Sequence, residues 1–468
     1  MDISSDTWSV KVGFVAAGAM RRAPTCATTP LPPAAARLLR EHRPRLLTRR
    51  NRTNHKPTRR VVTTRRRRRL GKVPDDDPAC CFEDRGLHGG RPVLDRGDAS
   101  PLASSADVIL VNDPGLADYR DVLERRYAND PFFVYPDIGI LGKMLSGRSA
   151  FLARGRLRAF SVRDERGRPG AFAAAFVDPG LQEKTGKATA SIGFFEAVDM
   201  GAALKVLEAA CGWLAEQGTI EAWASFNANP YYRMGVREDR FDEPPFIACA
   251  HDPPSTREFL GAAGIDRVNR YLNFEIDLAR RPWEGVGLCV SGAKMRPLSR
   301  HQFRRDVLSY VHLHNAAFRT VWGEVEISDA EALQLLMRSR LALDPRLLQF
   351  ATLDADDVGF VLCVSNLGEV LAPLRAPLTS PRGIAKMARR RRRARTAGLL
   401  SLGVRPDLQG RGIGSALVAR ALRNASDIGF ERVEYALVAE NNEASRAIAA
   451  RFGGNLCRSF GIYARNLG

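Results

Sequence analysis

The chain contains 468 residues, enough for two or three domains, and its 45% apolar and 26% charged residues are ordinary for a globular protein. Its 71 Lys and Arg against 52 Asp and Glu give a net charge of +19, a balance typical of proteins that bind nucleic acid or anionic membranes. No stretch reaches the roughly 20 apolar residues of a membrane-spanning helix. The eight cysteines form no CxxC pair and are too few for a disulfide scaffold, so we predict a cytoplasmic protein with reduced thiols and no metal site.

The positive charge is concentrated in two places. Residues 1–100 contain 22 Lys and Arg against 10 Asp and Glu, which gives +12. The segment Lys386–Arg395 supplies seven more cations with no acid between them, and the rest of the chain is neutral. Since no broad basic face remains, we do not expect nucleic acid to be the partner of the folded part.

Residues 1–104 are predicted to form a disordered Arg-rich tail. Between Arg21 and Arg69, 17 cations accompany a single acid, Glu41, and few large apolar residues. Three interpretations stay open: a solvated tail or residues added by an upstream start codon, a nucleic-acid-binding tail, and an organelle transit peptide. The absence of aromatic residues among these arginines disfavours base stacking.

Order is predicted from residue 105, in a first unit that extends to residue 285. Apolar runs predict strands, and apolar positions at helical spacing predict helices. The predicted strands are Asp107–Val111, Ala150–Leu152, Ala171–Val177, Ala188–Glu196, Ile220–Phe226 and Arg270–Ile276, and the predicted helices are Tyr119–Tyr127, Met200–Gln217 and Ser255–Ala263. Residues Asn227–Pro254, rich in Asn, Pro and aromatic residues, are predicted to form a structured loop.

A second unit is assigned to residues 286–468, after a linker over Ala279–Gly292. Its predicted helices are Phe303–Trp322, Asp329–Leu341, Gly412–Ile428 and Glu443–Phe452, and its predicted strands are Gln349–Leu353, Gly359–Ser365, Ala397–Val404, Val433–Val438 and Phe460–Tyr463. Both units follow the order strand, turn, helix, strand, helix, strand. The fold class is therefore predicted as α/β, with one unit present twice.

The stretch from Leu399 to Leu422 predicts a strand, a turn with three spaced glycines, and a helix. Gly410, Gly412 and Gly414 allow a close approach of the backbone to a ligand. Free amides at the start of the following helix favour an anion, which suits a pyrophosphate. The spacing GRGIG is not GxGxxG, and no Lys-Ser/Thr pair follows it, so neither a dinucleotide-binding loop nor a Walker A loop is indicated.

These residues match a family. The pattern V-x-P-x-x-Q-G-x-G-x-G at residues 404–414 resembles the acyl-CoA-binding loop of the GNAT superfamily, the acyl-CoA-dependent N-acetyltransferases. Asn442-Glu443-Ala444-Ser445 followed by Phe452-Gly453-Gly454 resembles the family's second signature. The segments SIGFFEAVD, FNANPYYRMGV and AHDPPSTREFLGAAGI are similar to a bacterial group of tandem-GNAT proteins and, more distantly, to enzymes that move long acyl chains onto amino acids. The resemblance implies two tandem GNAT-like units, each a mixed twisted sheet flanked by helices.

The resemblance also implies a reaction. Acetyl-CoA or another acyl-CoA would be the donor, and a primary amine of a small molecule or peptide would be the acceptor. Pantetheine would pair between the splayed strands Leu402–Val404 and Val433–Val438, and an amide near Gly403 or Val404 would polarise the thioester carbonyl. The implied cofactor-binding residues are Leu402, Gly403, Val404, Gln409, Gly410, Arg411, Gly412, Ile413, Gly414, Ser415 and Asn442.

Two positions depart from the family pattern. Ala449 stands where many members have a Tyr general acid, and Leu437 where many have Glu. One alternative is that no dedicated residue replaces them and that solvent accepts the proton of the amine. His312 and His314 lie two residues apart on a helix and share no face; either one is a candidate base, or both are packed or surface histidines. The candidate catalytic substitutes are Glu434, Tyr435, Glu440 and Tyr463, each with the alternative of a solvated charge or a packed aromatic ring.

In the first unit, the junction between strand and helix that corresponds to residues 404–414 lacks the three spaced glycines. It reads Glu196-Ala197-Val198-Asp199-Met200-Gly201. Two carboxylates there would oppose a pyrophosphate, so this unit is predicted not to bind CoA and to serve as a scaffold or to shape the acceptor pocket. The segment Lys386–Arg395 is either an electrostatic rim for an anionic ligand or a solvated helix face. The candidate substrate contacts of the first unit are Asn227, Asn229, Tyr231 and Tyr232, with turn formation and packing as the alternative.

The sequence therefore predicts an N-acyltransferase that moves an acyl group from acyl-CoA to a primary amine. A CoA-binding regulator without turnover is an alternative, motivated by Ala449 and Leu437. A nucleic-acid-binding protein that acts through its tail is a further alternative.

Overall fold

The computed structural model describes residues 108–468 except 225, 247, 342, 373–388 and 390–392. The Arg-rich tail assigned to residues 1–104 and most of the basic segment Lys386–Arg395 lie outside the described residues. None of the helices formed by the described residues is long and apolar enough to cross a lipid bilayer.

The described residues form one mixed sheet of thirteen strands with helices on its faces. The strands of the first half are β1 (Val108–Leu110), β2 (Arg156–Arg163), β3 (Pro169–Val177), β4 (Thr189–Ala197), β5 (Glu221–Ala224), β6 (Val236–Arg237) and β7 (Asp266–Asp277). Those of the second half are β8 (Lys294–Pro297), β9 (Leu348–Leu353), β10 (Asp356–Ser365), β11 (Thr396–Val404), β12 (Arg432–Ala439) and β13 (Asn455–Asn466). The order across the sheet is β1-β2-β3-β4-β5-β13-β7-β12-β11-β10-β9-β8, and β6 pairs with β13.

The helices connect these strands. In the first half they are α1 (Ala117–Arg126), α2 (Gly139–Leu145), α3 (Pro179–Thr185), α4 (Met200–Glu216) and α5 (Ser255–Ala262). In the second half they are α6 (Phe303–Phe318), α7 (Asp329–Leu336), α8 (Gly368–Leu371), α9 (Ile413–Ile428) and α10 (Glu443–Arg451). This arrangement confirms the predicted α/β class with two similar halves.

The last strands of the two halves are exchanged. Strand β13 pairs antiparallel with β5 of the first half, with Tyr463 opposite Ala224. Strand β7 pairs with β12 of the second half, with Ile276 opposite Val433, and β7 and β13 pair with each other between them. Each half therefore completes its sheet with a strand from the other. The boundary at residues 285 and 286 stays a prediction about the chain.

One predicted strand is wrong. Residues Ala150–Ala153 form a 3-10 helix, because the Ser149 side chain accepts a hydrogen bond from the Phe151 N–H and starts a turn. Two predicted helices are shorter than expected: α6 ends at Phe318, and the α-helix that begins at Asp329 continues after Leu336 as a 3-10 helix. Short apolar runs do not distinguish a strand from a turn when a capping side chain decides between them.

Glu196, at the end of β4, lies in a buried polar cluster of the first half. The Tyr127 hydroxyl donates to its carboxylate at 3.0 Å, and the Arg126 Nε lies 3.3 Å from the same oxygen. Burial raises the pKa of Glu196 to about 7, and the nearby Arg126 guanidinium only partly offsets this effect.

A Glu196→Gln variant tests whether the pKa of Glu196 is raised in the folded protein. The folded-state pKa lies above the ordinary value of 4.5, so the stability linked to the neutral carboxyl is complete below pH 4.5 and is lost as pH rises through about 7. We expect the unfolding free energy of the wild type to fall relative to the variant by about 3 kcal/mol across this range, at 1.36 kcal/mol per pKa unit. Urea denaturation at pH 5, 6, 7 and 8 measures this difference. A difference in unfolding free energy between the wild type and Glu196→Gln that does not change with pH contradicts the prediction.

Candidate active site

The parallel strands β11 and β12 pair over their first halves and then separate. Their pairing ends at Leu399 opposite Tyr435, whereas β11 stays paired with β10 as far as Val404. Strand β12 bends at Leu437, whose φ is 57°, and its N–H donates to the Asn273 side chain of β7 at 2.8 Å. Among the described residues, the β12-facing edge of β11 beyond Leu399 therefore has no strand partner, which suits an extended ligand that pairs like a strand.

A glycine loop lies at the open end of this gap. Gly410 and Gly412 have φ values of 76° and 82°, in the left-handed region that other residues adopt only at a cost. The Gln409 side chain donates to the Val404 carbonyl at 3.0 Å and fixes the loop to the end of β11. The loop leads directly into α9, whose N-cap is Gly412.

The backbone N–H groups of residues 410–415 lack an acceptor among the described residues. The first helical bond of α9 comes from the Ala416 N–H to the Gly412 carbonyl, at 3.1 Å. Ser291 of the linker donates to the Arg411 carbonyl at 3.2 Å, which holds the loop from outside. Open N–H groups at the start of a helix, here one of 16 residues, are groups that can bind a phosphate or pyrophosphate.

Two other predicted cofactor-binding residues have structural roles. At Gly403, a Cβ would come within 2.5 Å of the Phe360 ring and 3.0 Å of Ala317, so this glycine lets α6 pack on β11. Asn442 is the N-cap of α10, and its Oδ1 accepts a hydrogen bond from the Ser445 N–H at 3.0 Å. A role for these two residues towards a cofactor stays a prediction.

The two acidic catalytic candidates lie apart. Glu434 is buried, accepts a hydrogen bond from Asn273 at 2.7 Å and lies 3.3 Å from the Arg458 guanidinium. Burial raises the pKa of the Glu434 carboxyl, against the opposing effect of Arg458. Glu440 is exposed, 3.7 Å from the Arg270 guanidinium. Glu434 is thus engaged in an internal ion pair, and Glu440 in a surface pair.

The two tyrosine candidates are also separate. Tyr435 is buried on β12, and burial raises its pKa. Tyr463 packs in the core of the first half, where its hydroxyl donates to Glu238 at 3.4 Å and burial raises its pKa to about 12. The structure does not bring the four candidates into one site, and their catalytic roles stay predictions.

Two cavities meet beside the point where β11 and β12 separate. The inner cavity, of about 90 Å³, is lined by Leu400 and Ser401 of β11 and by Leu437 of β12. The outer cavity, of about 1030 Å³, lies between α3, α6 and the loop after α6. Three side chains line both cavities: His314, Phe318 and Glu324.

His314 is one of the two histidines that the sequence had raised as a candidate base. It is buried on α6 and hydrogen-bonded through Nδ1 to the Tyr231 hydroxyl. His312 is exposed and hydrogen-bonded to Asp329 at 2.7 Å. The sequence alone does not distinguish the two histidines, because the partner of His314, Tyr231, comes from the other half of the chain.

The outer cavity is strongly charged. Glu324 and Glu326 lie on the loop after α6, and burial lowers the pKa of Lys184 on the opposite side. Trp223 and Trp322 stack with ring centroids 4.4 Å apart and give this cavity an apolar wall. The charged side chains along the outer cavity are Arg154, Glu183, Lys184, Lys187, Glu221, Arg319, Glu324 and Glu326.

A buried polar network joins the two halves next to this cavity. Arg154 lies 3.2 Å from Asp178 and 3.4 Å from Glu331 of α7, and both carboxylates are fully buried. The Tyr232 hydroxyl donates to Glu331 at 2.8 Å, and the Asn229 side chain donates weakly to both carboxylates. Burial raises the pKa values of Asp178 and Glu331, against the opposing effect of Arg154.

The first half has a similar strand separation that its own residues fill. The Asn227 side chain accepts a hydrogen bond from the Phe194 N–H at 2.7 Å, where β4 leaves β5. Asp199 caps α4 by accepting from the Ala202 N–H at 2.9 Å. One carboxylate thus occupies the helix N-terminus, whereas the second, Glu196, turns into the core. These contacts agree with a first half that does not bind CoA, which stays a prediction.

Residues at the end of the basic segment are described only in part. The Arg395 N–H donates to Glu369 at 2.9 Å, and its guanidinium lies 3.4 Å from Glu431. The contribution of the segment to an electrostatic rim stays a prediction.

Residues 322–453 match the family model described as the acetyltransferase (GNAT) family. This matched range contains the glycine loop, the separated strands β11 and β12, and helix α10. The resemblance predicted from the sequence is therefore confirmed.

Two curated proteins are similar to this chain over more than half of its length. One is the bacterial ceramide synthase of Caulobacter vibrioides (strain NA1000 / CB15N), 27% identical over 301 residues, which cover 61% of this chain and 77% of that protein. The other is protein YghO of Escherichia coli (strain K12), 24% identical over 312 residues, which cover 63% of this chain and 78% of that protein. A solved tandem GNAT protein from the clavulanic acid biosynthesis pathway aligns with a TM-score of 0.48 and 14% identity, covering 77% of this chain and 98% of that chain.

Proposed function

We propose that the protein is an acyl-CoA-dependent N-acyltransferase with one active site, in its second half. One observation carries the proposal: the open N–H groups of residues 410–415 lie at the mouth of the gap between β11 and β12. The pyrophosphate of acyl-CoA would bind these N–H groups, and pantetheine would pair with the free edge of β11.

The thioester would lie at the inner cavity. This cavity borders Leu400 and Ser401, where β11 carries a bulge opposite Leu362 and Cys363 of β10. A backbone amide aimed into the cavity there would stabilise the negative charge that develops on the thioester oxygen. This position lies slightly before the Gly403 and Val404 amides that the family resemblance implies.

The amine acceptor would enter through the outer cavity. Glu324 would attract its ammonium group, since it lines both cavities, whereas Glu326 of the same loop lies 3.4 Å from the Arg319 guanidinium. The reaction would join the acceptor nitrogen to the acyl carbon and release the CoA thiol. A ceramide is an N-acylated long-chain amino alcohol, so the similarity to a ceramide synthase supports acyl transfer to nitrogen and makes a long-chain amine an acceptor to test.

Thiol release by the full chain tests the proposed function. Acetyl-CoA and palmitoyl-CoA are each mixed with a panel of amines that includes a long-chain amino alcohol, and the products are identified by mass spectrometry. We expect amine-dependent thiol release with one amide formed per thiol. Acyl-CoA binding without release for any amine indicates the CoA-binding regulator instead, and absence of binding contradicts the proposal altogether.

A further inference from the structure

We propose that His314 is the general base that deprotonates the acceptor amine, an inference that rests on the proposed function. His314 lies where the outer cavity, the acceptor's entrance, meets the inner cavity, the thioester's position. A base must contact the amine as it approaches the thioester, and this junction is on that path.

The His314 ring is held in one orientation by its neighbours. It stacks on Phe318, one helical turn later on α6, with centroids 4.1 Å apart and planes 3° from parallel. The ring centroid of Phe360, on β10, lies 6.1 Å from that of His314, and the Tyr231 hydroxyl is hydrogen-bonded to Nδ1 of His314. A base fixed in this way needs little reorganisation when the substrate binds.

The contact between the Tyr231 hydroxyl and Nδ1 is compatible with either tautomer of His314, and the proposal requires one of them. With the imidazole proton on Nδ1, this N–H donates to the Tyr231 oxygen, and Nε2 carries the basic lone pair. In this tautomer Tyr231 is a positioning residue, because its oxygen accepts from Nδ1–H and orients Nε2. It is buried, and burial raises its pKa well above the ordinary value, with a further contribution from the Glu324 carboxylate, so that its hydroxyl stays neutral.

The charged and titratable groups around this ring come from three elements. Tyr310 lies on the same helix, with its ring centroid 5.8 Å from that of His314, and burial raises its pKa. Tyr231 and Arg233 come from the loop after β5, and Glu324 from the loop after α6. The Glu324 carboxylate favours the imidazolium that forms when His314 accepts a proton, and Arg233 opposes it.

The proton balance of the step is complete. Nε2 of His314 takes one proton from the acceptor ammonium, and the freed nitrogen lone pair attacks the thioester carbonyl. The new N–C bond forms, the C–S bond breaks, and the departing thiolate takes the second proton of the nitrogen. The imidazolium then releases its proton to solvent through the outer cavity.

His314→Gln tests the inference, with His312→Gln as the matched control on the same helix. Acyl-CoA affinity, measured by calorimetry with palmitoyl-CoA, should stay within about twofold of the wild type in both variants. With a long-chain amino alcohol at pH 7, kcat/KM should fall about 10²- to 10⁴-fold in His314→Gln and should not change in His312→Gln. The ratio of wild-type kcat/KM to that of His314→Gln should decrease between pH 7 and pH 9.5, because a larger fraction of the amine is then already deprotonated.

The acceptor's own basicity provides a second readout. Hydroxylamine is unprotonated near neutral pH and needs no base before attack, so His314→Gln should lose much less activity with it than with the alkylamine. A merely structural role would reduce both reactions equally at every pH, and this result overturns the inference while the proposed function stands. A wild type that acylates no amine overturns the proposed function itself.

The tautomer can be tested without turnover. The ¹⁵N chemical shifts of labelled histidines, with the His314 signals assigned through His314→Gln, should show the proton on Nδ1. Tyr231→Phe should shift this equilibrium and lower kcat about tenfold with little change in palmitoyl-CoA affinity. A wild-type proton on Nε2 contradicts the assigned roles.

Discussion

Replacing Gly414 with Glu is expected to weaken acyl-CoA binding about 100-fold, equivalent to 2.8 kcal/mol at 1.4 kcal/mol per tenfold change. Gly414 lies in the first turn of α9, among the N–H groups that lack an acceptor in the described residues. A carboxylate there would occupy the helix N-terminus, as the Asp199 carboxylate does at α4, and would repel the pyrophosphate. Calorimetry with acetyl-CoA at fixed ionic strength measures the change.

Gly414 is a better position for this test than Gly412. A Cβ at Gly414 would lie 3.8 Å from Val404 and 3.9 Å from Ile448, which is ordinary contact. A Cβ at Gly412 would lie 3.1 Å from Val290, on a backbone whose φ is 82°. Gly414→Gln is the matched control, because it adds the same bulk without the charge and should lose much less affinity. Equal affinity of Gly414→Glu and the wild type would exclude this loop as the pyrophosphate site.

Replacing Arg154 with Met is expected to lower the unfolding free energy by about 3–5 kcal/mol at pH 7, the usual cost of leaving buried charges without their partner. Arg154 is the cation beside Asp178 and Glu331, which lie in different halves of the chain and are both fully buried. Chemical denaturation monitored by tryptophan fluorescence measures the loss.

Measurements at acidic pH show whether the loss of unfolding free energy comes from unpaired buried charges or from lost packing. Without Arg154, the pKa values of Asp178 and Glu331 rise further above their ordinary values, so the deficit should shrink as pH falls and these carboxyls become neutral. Arg168→Met is the control: Arg168 pairs with Asp164 at the surface, where such pairs contribute up to about 1 kcal/mol. A deficit in Arg154→Met that does not change with pH would contradict the ionic explanation.

Much of the fold could be predicted from local patterns. Helix α9 and strand β11 lie within a residue of their predicted bounds, because apolar periodicity, the glycine turn and Gly429 are all encoded nearby in the chain. The 3-10 helix at Ala150–Ala153 was missed, since the hydroxyl of Ser149 decided it. The exchange of β7 and β13 could not be predicted, because strand partners far apart in sequence are chosen by the whole sheet.

The candidate site was also predictable only in part from the sequence. The glycine loop was identified from the sequence, since its chemistry belongs to the backbone of consecutive residues. The catalytic candidates chosen near Asn442 lie in four separate surroundings, among them the Glu434–Arg458 ion pair and the first-half core around Tyr463. Their catalytic roles stay predictions, because closeness in sequence does not determine which side chains share a site.

The sequence by itself determined most of the α/β elements, the glycine loop before α9, and the Asp199 carboxylate at the corresponding helix of the first half. Only the tertiary structure decided which strand completes each half, and which side chains meet at the two cavities. His314 and its partner Tyr231 lie 83 residues apart in the chain. Local propensities act over a few residues, whereas a site between two halves depends on long-range packing that no single segment encodes.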